Sequence, residues 1–172
     1  MSFEGRAHKF GDDINTDYII SSRRKRDTLD LNILKQYIME DIEPGFARKV
    51  KENDIIVAGE NFGCGSAMEV ASLVIKAAGI NAVIAKSFAR TFYRNGINGG
   101  IMLIECNTDR IDDGDILKIQ MNKDKIIISN QTKGFTEEAK TLGGILFDLI
   151  KAGGLMEYIR KKGNFEGYGK FN

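Results

Sequence analysis

Proline, cysteine, histidine and tryptophan are rare in this chain. Its 172 residues include one proline, two cysteines, one histidine and no tryptophan. Cys64 and Cys106 alone cannot build a disulfide framework or a zinc ribbon. The lone imidazole, His8, excludes a metal site or catalytic triad within this chain that needs two histidines. We therefore predict no metal site here, structural roles for both cysteines, and a strand or surface position for His8.

The chain also lacks an excess of charge and any long apolar run. Lys and Arg number 25 against 24 Asp and Glu, a net charge of +1, so no global field attracts nucleic acid or an anionic membrane. Charged residues and glycines interrupt every apolar stretch well short of a bilayer span. The N-terminal sequence MSFEGRAHKFGDD has no apolar signal-peptide core. We expect a soluble, cytoplasmic protein.

Glycine, in contrast, is abundant: 19 of 172 residues, above the roughly 7% of average usage. We expect much of it to serve tight backbone turns. With 42% hydrophobic and 28% charged residues, the composition suits one folded domain. We place this domain at residues 1–162, followed by a polar C-terminal tail at 163–172.

The middle of the chain predicts an α/β fold. Residues 54–59 and 82–85 are short apolar runs typical of buried strands, and 99–105 follows as a third strand. Helical patterns at 67–78 and 88–98 separate them. This alternation predicts a mainly parallel central sheet with right-handed crossovers.

Shorter patterns flank this unit. They are a strand at 4–10, a helix at 31–39 with Asp30 as its N-cap, a short helix at 45–50, a β-hairpin of 116–121 and 125–129, and helices at 144–152 and 155–162. The C-terminal part is therefore expected to consist of a hairpin and helices.

A glycine-rich turn, Asn61-Phe62-Gly63-Cys64-Gly65-Ser66, links a predicted strand to a predicted helix. Ser66 would then lie at the helix N-terminus, where free backbone N–H groups attract anions. Gly63 and Gly65 would let a ligand approach the backbone. Two interpretations of Ser66 remain open: an alkoxide that acts as a base, or an N-cap only. The turn is neither a dinucleotide-binding fingerprint nor a P-loop.

Three segments in this order carry a family resemblance: Asp-Asp-Ile-Asn-Thr-Asp at 12–17, the glycine turn at 61–66, and Ala-Lys-Ser-Phe-Ala-Arg-Thr-Phe-Tyr-Arg-Asn at 85–95. They resemble the 3-isopropylmalate dehydratase small-subunit family of the aconitase superfamily. Lys-Ala-Gly-Gly-Leu at 151–155 is similar to the family's closing helix. The resemblance covers roughly residues 4–162.

The resemblance implies a fold, a partner and a reaction. The fold is the swivelling β/β/α domain of aconitase, expressed as a separate chain. The partner is a large subunit whose 4Fe-4S iron–sulfur cluster leaves one iron open to act as a Lewis acid on the substrate hydroxyl, so this chain itself would bind no cofactor. The reaction is the dehydration and rehydration of a small hydroxy di- or tricarboxylate.

The resemblance also implies roles for individual residues. Ser66 matches the catalytic serine that abstracts a proton next to a carboxylate. Asp17 matches an aspartate that orients a histidine of the partner, and Thr16 lies beside it in the cleft. Gly65 and Ala67 fall within the substrate-binding turn.

Two stretches depart from the family pattern. The family usually continues the serine with Ser-Arg-Glu-His, whereas this chain has Ala67 and Met68. Met68 replaces an arginine that would grip a substrate carboxylate, and methionine supplies neither charge nor fork geometry. The more apolar pocket hints at a substrate with methyl or larger alkyl groups.

The second departure is a basic run, Arg23-Arg24-Lys25-Arg26, in the family's specificity loop. In one interpretation Arg23, Arg24 or Arg26 holds substrate carboxylates, with Arg23 or Arg26 preferred. In the other, the run is a solvated loop that docks on an acidic face of the partner. Nucleic-acid binding is disfavoured because the run has no interleaved aromatic residues.

The leading functional prediction is a small subunit of a heteromeric hydro-lyase. Among its possible reactions, 3-isopropylmalate isomerisation in leucine biosynthesis is the leading candidate. Homoaconitate, citraconate or 2-methylmalate, and 2,3-dimethylmalate remain alternative substrates. A different class of function is a non-catalytic swivel module that binds an anion or a partner. An isolated chain with an exposed partner-facing surface is also expected to self-associate.

Overall fold

The computed structural model describes residues 1–162. The strands are β1 (Ser2–Lys9), β2 (Ile55–Ala58), β3 (Ala82–Ala85), β4 (Met102–Glu105), β5 (Ile116–Met121), β6 (Ile126–Asn130) and β7 (Phe135–Ala139). The helices are α1 (Thr16–Ile19), α2 (Ser22–Asp27), α3 (Leu31–Leu34), α4 (Phe46–Lys49), α5 (Val70–Ala77), α6 (Arg90–Asn98), α7 (Gly144–Ala152) and α8 (Leu155–Lys162), with a 3-10 turn at Lys35–Tyr37. The tail predicted at 163–172 lies outside the described residues.

All seven strands form one sheet in the order β4-β3-β2-β1-β5-β6-β7. The pairs β1–β2, β2–β3 and β3–β4 are parallel, whereas β1–β5, β5–β6 and β6–β7 are antiparallel. The parallel part and the C-terminal hairpin were both predicted, and these predictions are confirmed. The two parts are continuous because β5 pairs with the free edge of β1.

Burial follows this division of the sheet. Every residue of β2 and β3 is buried, as expected for parallel strands covered on both faces. In β5 buried and more accessible positions alternate, which is typical of a strand with one solvated face. The apolar runs therefore specify the parallel half, and the alternating pattern specifies the antiparallel half.

His8 lies inside this core. It is a β1 residue with 6% exposure, and its Nε2 lies 2.7 Å from Oδ2 of Asp54. Its ring meets Phe46 edge-on, with centroids 5.1 Å apart. The Asp54 carboxylate also accepts the backbone N–H groups of Arg6 and Lys51. His8 is thus a strand residue that ties β1 to the residue preceding β2.

The elements that differ from the sequence prediction include the helix expected at 31–39 and strand β7. The helix expected at 31–39 is divided into α3 and a 3-10 turn; Asp30 does cap it, accepting the backbone N–H of Asn32 at 2.8 Å. Met39, with φ at 58°, cannot continue a right-handed helix. Strand β7 was not predicted, because its sequence Phe-Thr-Glu-Glu-Ala is polar; it lies at the sheet edge, where glutamates are tolerated.

Candidate active site

The candidate site forms where two loops meet beyond the ends of β1 and β2. Because these strands are parallel neighbours, their carboxyl ends lie at the same end of the sheet. This end is the usual place for a ligand site in an α/β fold. Backbone hydrogen bonds join the loops: Gly63 donates to Ile14 and Thr16 donates to Cys64, each at 2.8 Å. The motif at 12–17 and the glycine turn at 61–66 are therefore one structural unit.

The two glycines of the turn are required by the protein's own packing. Gly63 has φ of 80°, and a Cβ there would lie 2.1 Å from Cγ of Phe92. Gly65 has φ of 94°, and a Cβ there would lie 2.5 Å from Oδ1 of Asn15. Glycine is therefore required at both positions by the packing of Phe92 and Asn15, and the approach of a ligand to the backbone of the turn stays a prediction.

Ser66 does not lie at a helix N-terminus, so the predicted N-cap is wrong. Helix α5 begins at Val70, and Glu69 precedes it without a side-chain capping bond. The Ala67 carbonyl accepts a hydrogen bond from Nδ2 of Asn95 at 3.0 Å, and the first backbone bond of the helix start runs from Ala71 to Met68 instead. Residues 66–68 are thereby held outside the helix.

Because residues 66–68 lie outside the helix, the turn is open to solvent. Residues 65–68 are all exposed. Within residues 1–162, no acceptor takes the backbone N–H of Gly65, Ser66, Ala67 or Met68, and the Ser66 hydroxyl makes no hydrogen bond. Exposed backbone N–H groups that have no internal acceptor can bind an anion without a helix dipole.

Thr16 and Asp17 are brought to this turn by α1. Thr16 is 1% exposed, and its Oγ1 donates to the Ser66 carbonyl at 3.2 Å. Asn15 caps α1, because its Oδ1 accepts the Asp17 backbone N–H at 2.9 Å. Asn15 therefore positions both loops, against Gly65 on one side and Asp17 on the other. Sequence reasoning missed this residue, although it stands inside the recognised motif.

The Asp17 carboxylate is held by α2. Its Oδ1 accepts a hydrogen bond from Ser22 Oγ at 2.6 Å and one from Lys25 Nζ at 3.0 Å. These two bonds, the Ser22 bond first, lower the pKa of Asp17 below its ordinary value. Asp17 is thus ionised at neutral pH, the state in which it can accept a hydrogen bond from an imidazole and orient it.

The basic run predicted as a loop is the helix α2, with Ser21 as its N-cap. Successive residues point about 100° apart on a helix, so the four cations diverge. Arg24 donates hydrogen bonds to both carboxylate oxygens of Glu40, at 2.8 and 3.1 Å, and its guanidinium stacks on the ring of Tyr37. Lys25 is buried against Asp17. Arg23 and Arg26 are exposed.

Comparison with known proteins assigns the family. The Aconitase C-terminal domain family matches residues 28–109. A homoaconitase small subunit from Methanocaldococcus jannaschii is 51% identical over 162 residues, covering 94% of each chain. The chain belongs to the aconitase superfamily, among its dehydratase small subunits. A 3-isopropylmalate dehydratase small subunit from Methanosarcina acetivorans is 50% identical over 92% of this chain and 96% of its own length.

A solved structure confirms the predicted aconitase-type fold for this small-subunit family member. The crystal structure of 3-isopropylmalate dehydratase from Methanocaldococcus jannaschii superimposes with a TM-score of 0.89 at 50% identity, covering 95% of this chain and 96% of that one. The site described above therefore lies on the scaffold of hydro-lyase small subunits.

The residues after Ser66 that were expected to depart from the family pattern are both exposed. Met68, where the resemblance implies an arginine, is 44% exposed. Ala67 is exposed and contributes its carbonyl to Asn95. The alternative cations, Arg23 and Arg26, are carried by α2, the helix that also holds Asp17.

The two cysteines are half-buried, and burial raises the pKa of both. For Cys106 burial raises the pKa to about 12. Among residues 1–162 no three His, Cys, Asp or Glu side chains are grouped so that they could hold a metal ion. The same part of the chain contains no helix long and apolar enough to cross a bilayer.

Proposed function

We propose that this small subunit supplies the proton-abstracting base of a two-chain hydro-lyase, and that Ser66 is that base. One observation carries the proposal: Thr16 donates to the Ser66 carbonyl, so the segment that carries Asp17 is held against an exposed turn whose hydroxyl and backbone donors are unused within the described residues. Open N–H groups around the hydroxyl stabilise an alkoxide, as they would an oxyanion. In this proposal residues 1–162 form the single domain that carries the base.

The substrate in this proposal is a hydroxy di- or tricarboxylate. The backbone N–H groups of residues 65–68 bind one carboxylate, and Arg23 or Arg26 binds another. Met68 places a thioether where an arginine would otherwise add a charge. This favours a malate with an alkyl substituent, such as 3-isopropylmalate or a dimethylmalate, over citrate.

Asp17 serves the partner chain in this mechanism. Its carboxylate is ionised and half-exposed, so it can accept a hydrogen bond from an imidazole of the large subunit and orient that ring. The residues described here do not fit an iron–sulfur cluster, since Cys64 and Cys106 are two thiols at most. We place the cluster in the large subunit, where it would polarise the leaving hydroxyl.

We place the complex in the cytoplasm, where both thiols stay reduced.

The test is reconstitution with the large subunit encoded in the same genome, purified without oxygen. Hydration of isopropylmaleate, dimethylmaleate, citraconate and homoaconitate is then measured. Ser66→Ala should reduce kcat by roughly 100-fold or more, since a general base contributes about 10²–10⁴. Ser2→Ala, an exposed serine at the far end of β1, is the matched control and should retain kcat.

Two results would contradict this function. A complex with a fully loaded cluster that hydrates none of the four acids would favour the non-catalytic swivel module. Near-normal turnover by Ser66→Ala would show that Ser66 is not the base, although the complex would still be an enzyme. Sizing of the small subunit alone, before mixing, tests the expected self-association.

A further inference from the structure

Lys25 is an unusual member of the basic run because it is buried. Its side chain is 4% exposed, against 63% for Arg23 and 31% for Arg24. An ammonium group is costly to remove from water unless a carboxylate compensates it. The compensating group is Asp17, whose Oδ1 lies 3.0 Å from Lys25 Nζ.

The Asp17 carboxylate is anchored through one oxygen. Oδ1 accepts both the Ser22 hydroxyl and the Lys25 ammonium. Oδ2 takes no hydrogen bond from any residue within 1–162, and the Asp17 side chain is 52% exposed. Two donors on one oxygen fix the plane of the carboxylate and leave the other oxygen free for an incoming donor.

We propose that Lys25 is a positioning residue, which holds Asp17 so that Oδ2 faces the catalytic cleft. This inference rests on the proposed function, because it assumes that Asp17 acts on the reaction. The cations of the basic run then have two distinct roles. Lys25 orients a carboxylate of this chain, whereas Arg26 and Arg23, an exposed side chain with a long 3.9 Å ion pair to Glu40, are the candidates for a carboxylate of the substrate.

Helix α2 explains how one segment fills both roles. Ser22 and Lys25 are separated by one helical turn, so they lie on the same face, towards Asp17. Ser21 caps the helix by accepting the Arg24 backbone N–H at 3.3 Å. The helix is thus fixed at its start, and the two donors reach Asp17 together.

The test uses Lys25→Met, which retains the length and the apolar stem but removes the charge. In the reconstituted complex we expect kcat to fall roughly 10- to 100-fold, because a small displacement of a catalytic group costs about that much. KM should change by no more than about 3-fold, since the substrate cations are untouched. Lys25→Arg restores a donor and should recover most of kcat.

The matched control is Lys133→Met. Lys133 also pairs with aspartates, Asp112 and Asp115, but it is more exposed than Lys25 and lies beyond β6, away from the site. It should retain kcat. A double variant, Lys25→Met with Asp17→Asn, should be no slower than Asp17→Asn alone, because both changes remove the same function. Additive losses would contradict a positioning role.

A second measurement does not depend on catalysis. The Asp17 carboxyl is titrated by carbon-13 NMR in the full-length small subunit, where Lys25 is the charged side chain that acts on it from the described residues. We expect Lys25→Met to raise the pKa of Asp17. An unchanged titration overturns the proposal, even if the wild-type complex is active. If the wild-type complex is inactive but the pKa rises, the proposed function fails and the Lys25–Asp17 anchor stands.

Discussion

The hydroxyl of Thr16 donates a hydrogen bond to the backbone carbonyl of Ser66 across 3.2 Å. Thr16 is almost completely buried, whereas Ser66 is exposed. A buried residue of α1 thus holds a solvent-exposed turn that belongs to no helix or strand. The bond connects the two motifs of the site, which are about 50 residues apart in the chain.

The first prediction concerns this bond. Thr16→Val retains the shape of the side chain and removes the donor, so it should lower the free energy of unfolding by about 1 kcal/mol. It should also lower kcat of the complex, because the Ser66 turn loses its anchor. Thr16→Ser retains the hydroxyl and is the control. Urea denaturation and turnover measure the two effects; wild-type turnover by Thr16→Val would contradict the anchoring role.

The second prediction concerns the glycine turn. Gly65→Ala should cost roughly 2–3 kcal/mol of stability, from a left-handed φ and a collision with Asn15. Gly134→Ala is matched to it: φ is 71°, but a Cβ there meets nothing within 4 Å. That variant should cost about 1 kcal/mol. Equal losses in denaturation would show that packing against Asn15 contributes nothing.

The third prediction separates the arginines of α2. Arg24→Ala loses the fork to Glu40 and the stacking on Tyr37, so its main effect should be a lower midpoint of urea unfolding. Arg23→Ala and Arg26→Ala should instead raise KM for the diacid, by roughly 10-fold for the arginine that binds it. Kinetics and denaturation are measured on all three. A large KM effect for Arg24→Ala alone would place the substrate cation there.

The fourth prediction concerns the thiols. Because burial raises the pKa of Cys106 to about 12, very little thiolate is present at pH 8, and iodoacetamide should modify it slowly. The thiolate fraction grows as pH rises towards that value, so the rate should increase with pH. Cys64, whose pKa is raised less, should react first. Peptide mass spectrometry measures both rates, and in urea they should become similar. Fast labelling of native Cys106 would contradict its burial.

Much of the fold could be predicted from local sequence. The apolar runs of β2 and β3 are four residues long, wholly buried and bounded by glycine, charged or amide residues, which is the pattern expected of buried parallel strands. Helix α5 ends at Ala77, shortly before Gly79 takes a φ of 92°, close to the end of the helical pattern at 67–78. The recognised motifs also named Thr16, Asp17 and Ser66, and the structure brings these three residues to one edge of the sheet. Their catalytic roles stay predictions.

Tertiary structure decided the rest, because the deciding bonds join residues far apart in sequence. Asn95 holds Ala67 from 28 positions away, and this keeps Ser66 outside α5 despite a good helical pattern. Lys25 looked like one of four equivalent cations, and only the folded position of Asp17 distinguishes it. Sequence alone determined which residues are apolar, which are charged and which lack a Cβ. The fold determined which donor meets which acceptor, since a hydrogen bond forms only when both groups are placed within about 3 Å.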